Sequence, residues 1–210
     1  MKAGKYIALR DGVILTVEAG GDRKVDLGWF QDEDRDPLLA FYRSLPKEDR
    51  LYLKDDVTNQ LLLDRLIEHM HDGRVIMVVA RHDGKIVGEA SQHFLHHGWT
   101  RHVSELRPLL RKEFDGYAIF EAMVREHIEV ASEQGLDKVV VRLLQLQKER
   151  KHKLEKLGFE QEAVLRDHAT DLQGKRHNMI IMSNYVSELW RRMEDLIRDT
   201  DLPPMNPADL

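Results

Sequence analysis

Ser-Glu-Leu-Arg-Pro-Leu-Leu (104–110), Arg-Lys-Glu-Phe-Asp-Gly-Tyr-Ala-Ile-Phe (111–120) and the run on to Phe159 decide how this chain folds. The first piece is strand-like. The second is a loop that turns into a helix predicted to reach about Gln134, with Ala122, Met123, Ile128 and Ala131 at spacings that share one face. Gly135 suits the residue just past a helix end. Lys138–Leu144, with Val139, Val140 and Val141, reads as a strand buried on both faces, and Glu149–Lys156 as a short helix ending before Gly158. A loop that opens onto a helix N-terminus is a natural anion site, because unpaired backbone N–H groups and the positive helix end both face the ligand.

Working outward, Asp83 and Gly84 separate strand-like Val75–Arg81 from Lys85–Gln92, and Asp11 and Gly12 separate Lys5–Leu9 from Val13–Glu18; both pairs are hairpin signals. Residues 20–36 read as a loop with acids at Asp32, Glu33, Asp34 and Asp36. Asp36 and Pro37 suit an N-cap and first helical position ahead of Leu38, Leu39, Phe41 and Tyr42, with Pro46 at its end. Thr58 can cap a helix bearing Leu62, Leu63, Leu66, Ile67 and Met70, which Asp72 and Gly73 stop. Phe159–His168 and Arg176–Met182 are strands joined through Asp171–Gly174. Ser187 can cap a last amphipathic helix with Trp190, Met193, Leu196 and Ile197, packed on its own domain or forming a homodimer contact. The expected organisation is one domain over 1–185, a helix over 186–200 and a disordered tail over 201–210.

The chain has 210 residues, 42% hydrophobic and 33% charged, enough for one core of ordinary size. A net charge of −5 gives no general pull toward nucleic acid or anionic membrane. No apolar run approaches a membrane span, and the N-terminus lacks the apolar core of a signal peptide, so a cytoplasmic protein without membrane partners is expected. Cysteine is absent, which excludes disulfides, thiolate metal sites and a cysteine nucleophile. His93, His96, His97 and His102 cluster in sequence, but no helical His pair accompanies them and no metal site is assigned.

The element order and the 104–120 loop resemble the GNAT acetyltransferase superfamily, whose loop pattern is Arg/Gln-x-x-Gly-x-Gly/Ala. A branch of that superfamily is also similar over Gln147, Leu157-Gly158-Phe159, Glu162–His168, Asp171, Gly174, Lys175, His177 and Met182. The resemblance covers about residues 5–185. It implies an α/β (α+β) GNAT fold: a central, mixed, mostly antiparallel twisted sheet with helices on both faces. It also implies an acetyl-coenzyme A-dependent N-acetyltransferase acting on a primary amine of a small molecule or protein. Backbone groups of Leu109 and Leu110 would hold the pantetheine arm. Residues Asp115, Gly116, Tyr117, Ala118, Ile119 and Phe120 would form the pyrophosphate loop.

Four positions depart from the pattern. Asp115 stands at the Arg/Gln position, Ala118 at the first Gly, Phe120 at the last small residue, and Leu154 where many members have a general-acid Tyr. An anion at 115 faces a diphosphate with a like charge, which costs about 2–3 kcal/mol at ~6 Å and an effective dielectric of ~20. Phe120 either crowds the diphosphate or turns into the core. Arg150 is a cation placed either to meet a phosphate or to sit in solvent. These departures leave a second reading open: a binding or regulatory module of the same fold without normal coenzyme A binding. For a general base, Glu105 and Glu89 lie on predicted central strands. Strand alternation would turn either to solvent, and Glu105 is the candidate base.

Overall fold

The computed structural model describes residues 12–19, 23–50, 56–94, 96–115, 118–171 and 173–186. Its strands form one sheet in the order β1-β2-β3-β4-β5-β6-β8-β7. They are β1 (Val13–Glu18), β2 (Lys24–Trp29), β3 (Val75–His82), β4 (Lys85–Phe94), β5 (Val103–Leu110), β6 (Lys138–Leu144), β7 (Glu160–Thr170) and β8 (Arg176–Tyr185). Every neighbouring pair is antiparallel except β5 and β6. The helices are α1 (Arg35–Ser44), α2 (Lys47–Arg50), α3 (Gln60–His71), α4 (Ile119–Glu133) and α5 (Lys148–Lys156).

Strand alternation divides the core in two. On β3, Val75, Met77 and Val79 pack with α1 and α3 through Leu38, Tyr42, Leu63 and Met70. Ile76, Val78 and Ala80 face the other way, toward Phe120, Met123 and Val130 of α4 and Leu154 of α5. A strand buried on both faces must be apolar at every position, and β3 is buried throughout from Val75 to Ala80. His127 of α4 is also fully buried, with Nε2 2.8 Å from the Ala90 carbonyl oxygen of β4. Burial pushes its pKa down to about 4, so it packs as a neutral ring.

Three local differences from the sequence reading have simple causes. Residues 24–29, expected as loop, form β2: Lys24, Val25, Asp26 and Leu27 alternate exposed and buried, and the strand pairs with both β1 and β3. The helix expected from Asp36 begins at Arg35, with Asp34 as its N-cap. Asp34 is buried against the Arg81 guanidinium of β3, so an ion pair sets the helix start. The expected Thr58 cap is Asn59 instead, whose side chain accepts from the Leu61 amide, while the Thr58 hydroxyl donates to Asp56. The hairpin at 83–84 is as expected, with Asp83 and Gly84 both at positive φ. The expected strand Lys5–Leu9, the helix from Ser187 and the tail lie outside the described residues.

The parallel β5–β6 contact positions the site. It has the register Val103↔Lys138, Ser104↔Val139 and Glu105↔Val140, and pairing stops there. β5 meanwhile stays paired with β4 to Leu110↔Gly88. The Arg111 amide donates to the Val87 carbonyl of β4, so by alternation the backbone groups of Leu109 also face β4, while those of Pro108 and Leu110 face the opening. Proline in a central strand normally loses a ladder hydrogen bond. Pro108 loses none, because its nitrogen lies where β6 has already separated.

Gly88 holds the other edge of β5. A Cβ at this position would lie 2.5 Å from Leu110 Cδ1 and 3.0 Å from the Leu109 carbonyl oxygen. Gly88→Ala is therefore expected to push β5 from β4 and destabilise the protein by about 1–3 kcal/mol, as overpacking does. Urea unfolding at unchanged m value measures it, and an unchanged midpoint would show that β5 yields freely.

Candidate functional site

On the α4 side of the opening, a cleft of ≈ 370 Å³ is lined by residues including Leu110, Lys112, Asp115, Gln147, Lys148 and Arg150. The chain reaches it from β5 through a short 3-10 turn, Lys112–Phe114, then enters α4 with Ala118 as N-cap. Ala118 supplies no side-chain cap, which leaves first-turn N–H groups of a four-turn helix for an anion. Gly116 and Tyr117 lie outside the described residues.

The two residue changes that most concern this loop take different roles. Phe120 and Ile119 are fully buried in the core with Met123 and Leu154, so the Phe120 ring turns inward rather than into the cleft. Asp115 meets a counter-charge that the sequence reading did not identify. Lys153 of α5 donates to the Asp115 carbonyl, with Nζ 3.3 Å from Asp115 Oδ1 and 3.9 Å from Glu121 Oε1. One ammonium thus offsets two acids at the α4 terminus. Lys112, Lys148 and Arg150 line the cleft beside it. Leu154, one residue on, is fully buried and carries no proton to donate.

The opposite sheet face carries a strip of polar side chains across β4, β5 and β6. Register places Glu89 opposite Leu109, Ser91 opposite Arg107 and His93 opposite Glu105. Glu105 sits where β5 and β6 separate, with Oε1 3.1 Å from Arg107 Nε and Oε2 3.8 Å from Arg142 Nη1. Its side chain keeps 20% of its surface exposed. Farther along the same face, Glu162 accepts from Lys138, Tyr185 and Ser183, which hold its carboxyl down to about 2.

Glu89 does not face solvent. It is buried beneath α1, and burial pushes its carboxyl up to about 8 despite hydrogen bonds from Tyr42 and Ser91 and the nearby Arg107 guanidinium. Its Oε2 is buried with no hydrogen-bond partner. Alternation on an isolated strand leaves open which face a helix will cover, and α1 covers this one. The same burial pushes the Tyr42 phenol well above its ordinary value, so it remains a donor.

His96 and His177 have local partners. His96 Nε2 lies 3.1 Å from the Gly73 carbonyl oxygen, and its ring stacks on Phe94. His177 Nε2 lies 2.8 Å from Asp171 Oδ2, across the β7–β8 hairpin. Among the described residues no group of His, Asp and Glu is arranged to hold a metal ion, and no helix is long and apolar enough to cross a membrane.

No family model and no curated protein sequence matches the chain. Solved structures do. Ribosomal-protein-alanine N-acetyltransferase from Brucella melitensis superposes with a TM-score of 0.67 at 21% identity, covering 76% of this chain and 98% of that one. An acetyltransferase of the GNAT family from Streptococcus pneumoniae gives 0.64 at 18%, covering 77% and 99%. Spermidine N-acetyltransferase from Vibrio cholerae, in complex with CoA and spermine, gives 0.65 at 15%, covering 78% and 96%. The chain has the fold of the GNAT acetyltransferases.

Glu89 makes stability depend on pH. Its folded pKa lies above the ~4.3 of an exposed glutamate, so its contribution is fully present below that value and is lost as pH rises toward about 8. Each pH unit in that window costs about 1.4 kcal/mol. Glu89→Gln is expected to flatten the melting temperature between pH 5 and 8 relative to the parent. Parallel melting curves across that range would show that Glu89 ionises as an ordinary surface acid.

Proposed function

We propose that this chain is an acetyl-coenzyme A-dependent N-acetyltransferase acting on a primary amine. The observation that carries the reading is the separation of β5 from β6 beyond Glu105 and Val140. It gives the sheet an opening with a cleft on one side, where Lys112, Lys148 and Arg150 line the wall together with Asp115 and Glu149, and the Glu105 strip on the other.

The residues present fit the cofactor. Leu110 offers an amide and a carbonyl to a pantetheine arm along the open edge of β5, and Pro108 a carbonyl alone. The uncapped α4 terminus and the cations Lys112, Lys148 and Arg150 suit a diphosphate, and Lys153 offsets the charge of Asp115. Acetyl-coenzyme A would supply an activated acetyl thioester. Glu105, at the apex of the opening, would take the proton of the acceptor amine, directly or through water, leaving a neutral nitrogen as nucleophile. With leucine at 154, the departing thiolate would take its proton from water. The chain's own contribution is positioning and deprotonation.

Titration calorimetry with acetyl-coenzyme A, followed by amine acetylation with the parent and Glu105→Gln, tests this. Saturating ligand at ~100 times its dissociation constant should stabilise the fold by about 2.7 kcal/mol. Glu105→Gln should keep that affinity and lose about 10²-fold or more in kcat. Absence of binding at millimolar acetyl-coenzyme A would refute the transferase reading and leave a non-catalytic module of the same fold. A Glu105→Gln variant at full rate across pH 6–9 would remove Glu105 as base.

A further inference from the structure

Asp115 and Phe120, two of the residues that depart from the family pattern, meet at one side chain from outside the loop. Lys153 of α5 keeps 18% of its side-chain surface exposed and places its ammonium at the start of α4. It donates to the Asp115 carbonyl, and Nζ lies 3.3 Å from Asp115 Oδ1, 3.9 Å from Glu121 Oε1 and 5.5 Å from the centre of the Phe120 ring. Asp115 ends the 3-10 turn ahead of α4, and Phe120 and Glu121 belong to the first turn of α4. One residue of α5 therefore touches the chain on both sides of the entry into α4. Lys151, two residues earlier, pairs with Glu155 of its own helix, whereas Lys153 reaches another element. An ammonium is out of place at the positive end of a helix unless acids hold it there. The converse matters more: two carboxylates at that end compete with an anionic ligand for the same N–H groups. Asp115 lines the cleft, and with its charge unbalanced it would repel such a ligand.

We propose that Lys153 is the positioning residue that keeps the α4 terminus open to the cofactor diphosphate, by holding the Asp115 and Glu121 carboxylates on the α5 side. The inference rests on the transferase reading and identifies what stands in for the Arg or Gln of the loop pattern. The cation has moved from the loop to a neighbouring helix, and the anion at 115 anchors it. Lys153 also holds a main-chain carbonyl, so it fixes the loop backbone as well as balancing its charge. Of its three N–H donors, the Asp115 carbonyl and carboxylate take two, while Glu121, at 3.9 Å, is a charge contact rather than a hydrogen bond. Phe120 fits the same arrangement: turned into the core, its ring lies within cation–π reach of the ammonium.

The test is calorimetry with coenzyme A, and separately with inorganic diphosphate, on the parent, Lys153→Met, Lys153→Arg, Asp115→Asn and the double variant Lys153→Met/Asp115→Asn. Methionine keeps an unbranched side chain beside Phe120 and removes the charge, and melting temperatures without ligand check that each variant is folded. Lys153→Met is expected to weaken coenzyme A binding about tenfold or more at low salt. Raising salt from about 0.05 to about 0.5 M should shrink that ratio, because salt screens charge and leaves a purely structural loss in place. Asp115→Asn alone should bind more tightly than the parent, the double variant should recover most of the loss, and Lys153→Arg should keep most of the parental affinity. Should Lys153→Met not fold, Asp115→Asn decides, and an affinity below the parent's would overturn the inference. Parental affinity in Lys153→Met, a loss indifferent to salt, or one that Asp115→Asn leaves in place would overturn this inference alone. Diphosphate binding that depends on Lys153, with no binding of coenzyme A, would refute the transferase reading alone. Binding of neither ligand to the parent would overturn both.

Discussion

The structure depends on β5 and β6 being paired at one end and apart at the other. Parallel strands in a closed sheet share a continuous ladder. Here the ladder ends at Glu105 and Val140. Past that point β5 is paired in the sheet with β4 and not with β6, and Gly88 lets the β4 and β5 backbones approach closely. Pro108 belongs to this arrangement, since a nitrogen without a proton fits a strand edge that has no partner. α4 connects the two strands, and its N-terminus lies at the mouth of the opening because the chain leaves β5 there.

The opening separates two electrostatic environments. One side is a cleft with Lys112, Lys148 and Arg150, where Lys153 compensates Asp115 and Glu121. The other is a sheet face where Glu105 lies between Arg107 and Arg142 and where Glu89 is kept under α1. Alternating residues of the same strands serve both sides: Leu106 and Leu110 pack with the α4 core, whereas Glu105 and Arg107 face the other way. A shift of β5 by one residue would exchange the two sets, and the apolar packing of Leu106 and Leu110 opposes such a shift.

Most of the elements were legible because their signals are local. Asp83 and Gly84 must take positive φ for a tight hairpin, and they do. Gly135 ends α4 at φ +68°, as its position after an amphipathic run implies. The strand at Lys24–Trp29 was legible too, in its alternation of Lys24, Val25, Asp26 and Leu27, but the acids that follow drew the whole segment toward a loop reading. Those acids are structural: Asp34 pairs with Arg81, Asp32 lies 2.8 Å from His71, and Arg35 joins Asp36 to Asp64.

Of the candidate site, the sequence by itself singled out Glu105, the loop into α4 and the positions Asp115, Ala118, Phe120 and Leu154 that depart from the GNAT pattern. It also held, unread, the two-residue spacing that puts Arg107 on the face of Glu105, and the proline that marks an unpaired strand edge. Only the tertiary structure decided that Phe120 turns into the core, that Lys153 crosses from α5 to Asp115, that Arg142 comes beside Glu105, and that α1 covers Glu89. The physical reason is common to all four. Periodicity specifies which residues of one element share a face, but charge compensation and desolvation depend on which element is packed against that face, and here the partners are 38, 37 and 47 residues apart for Lys153 with Asp115, Arg142 with Glu105, and Tyr42 with Glu89.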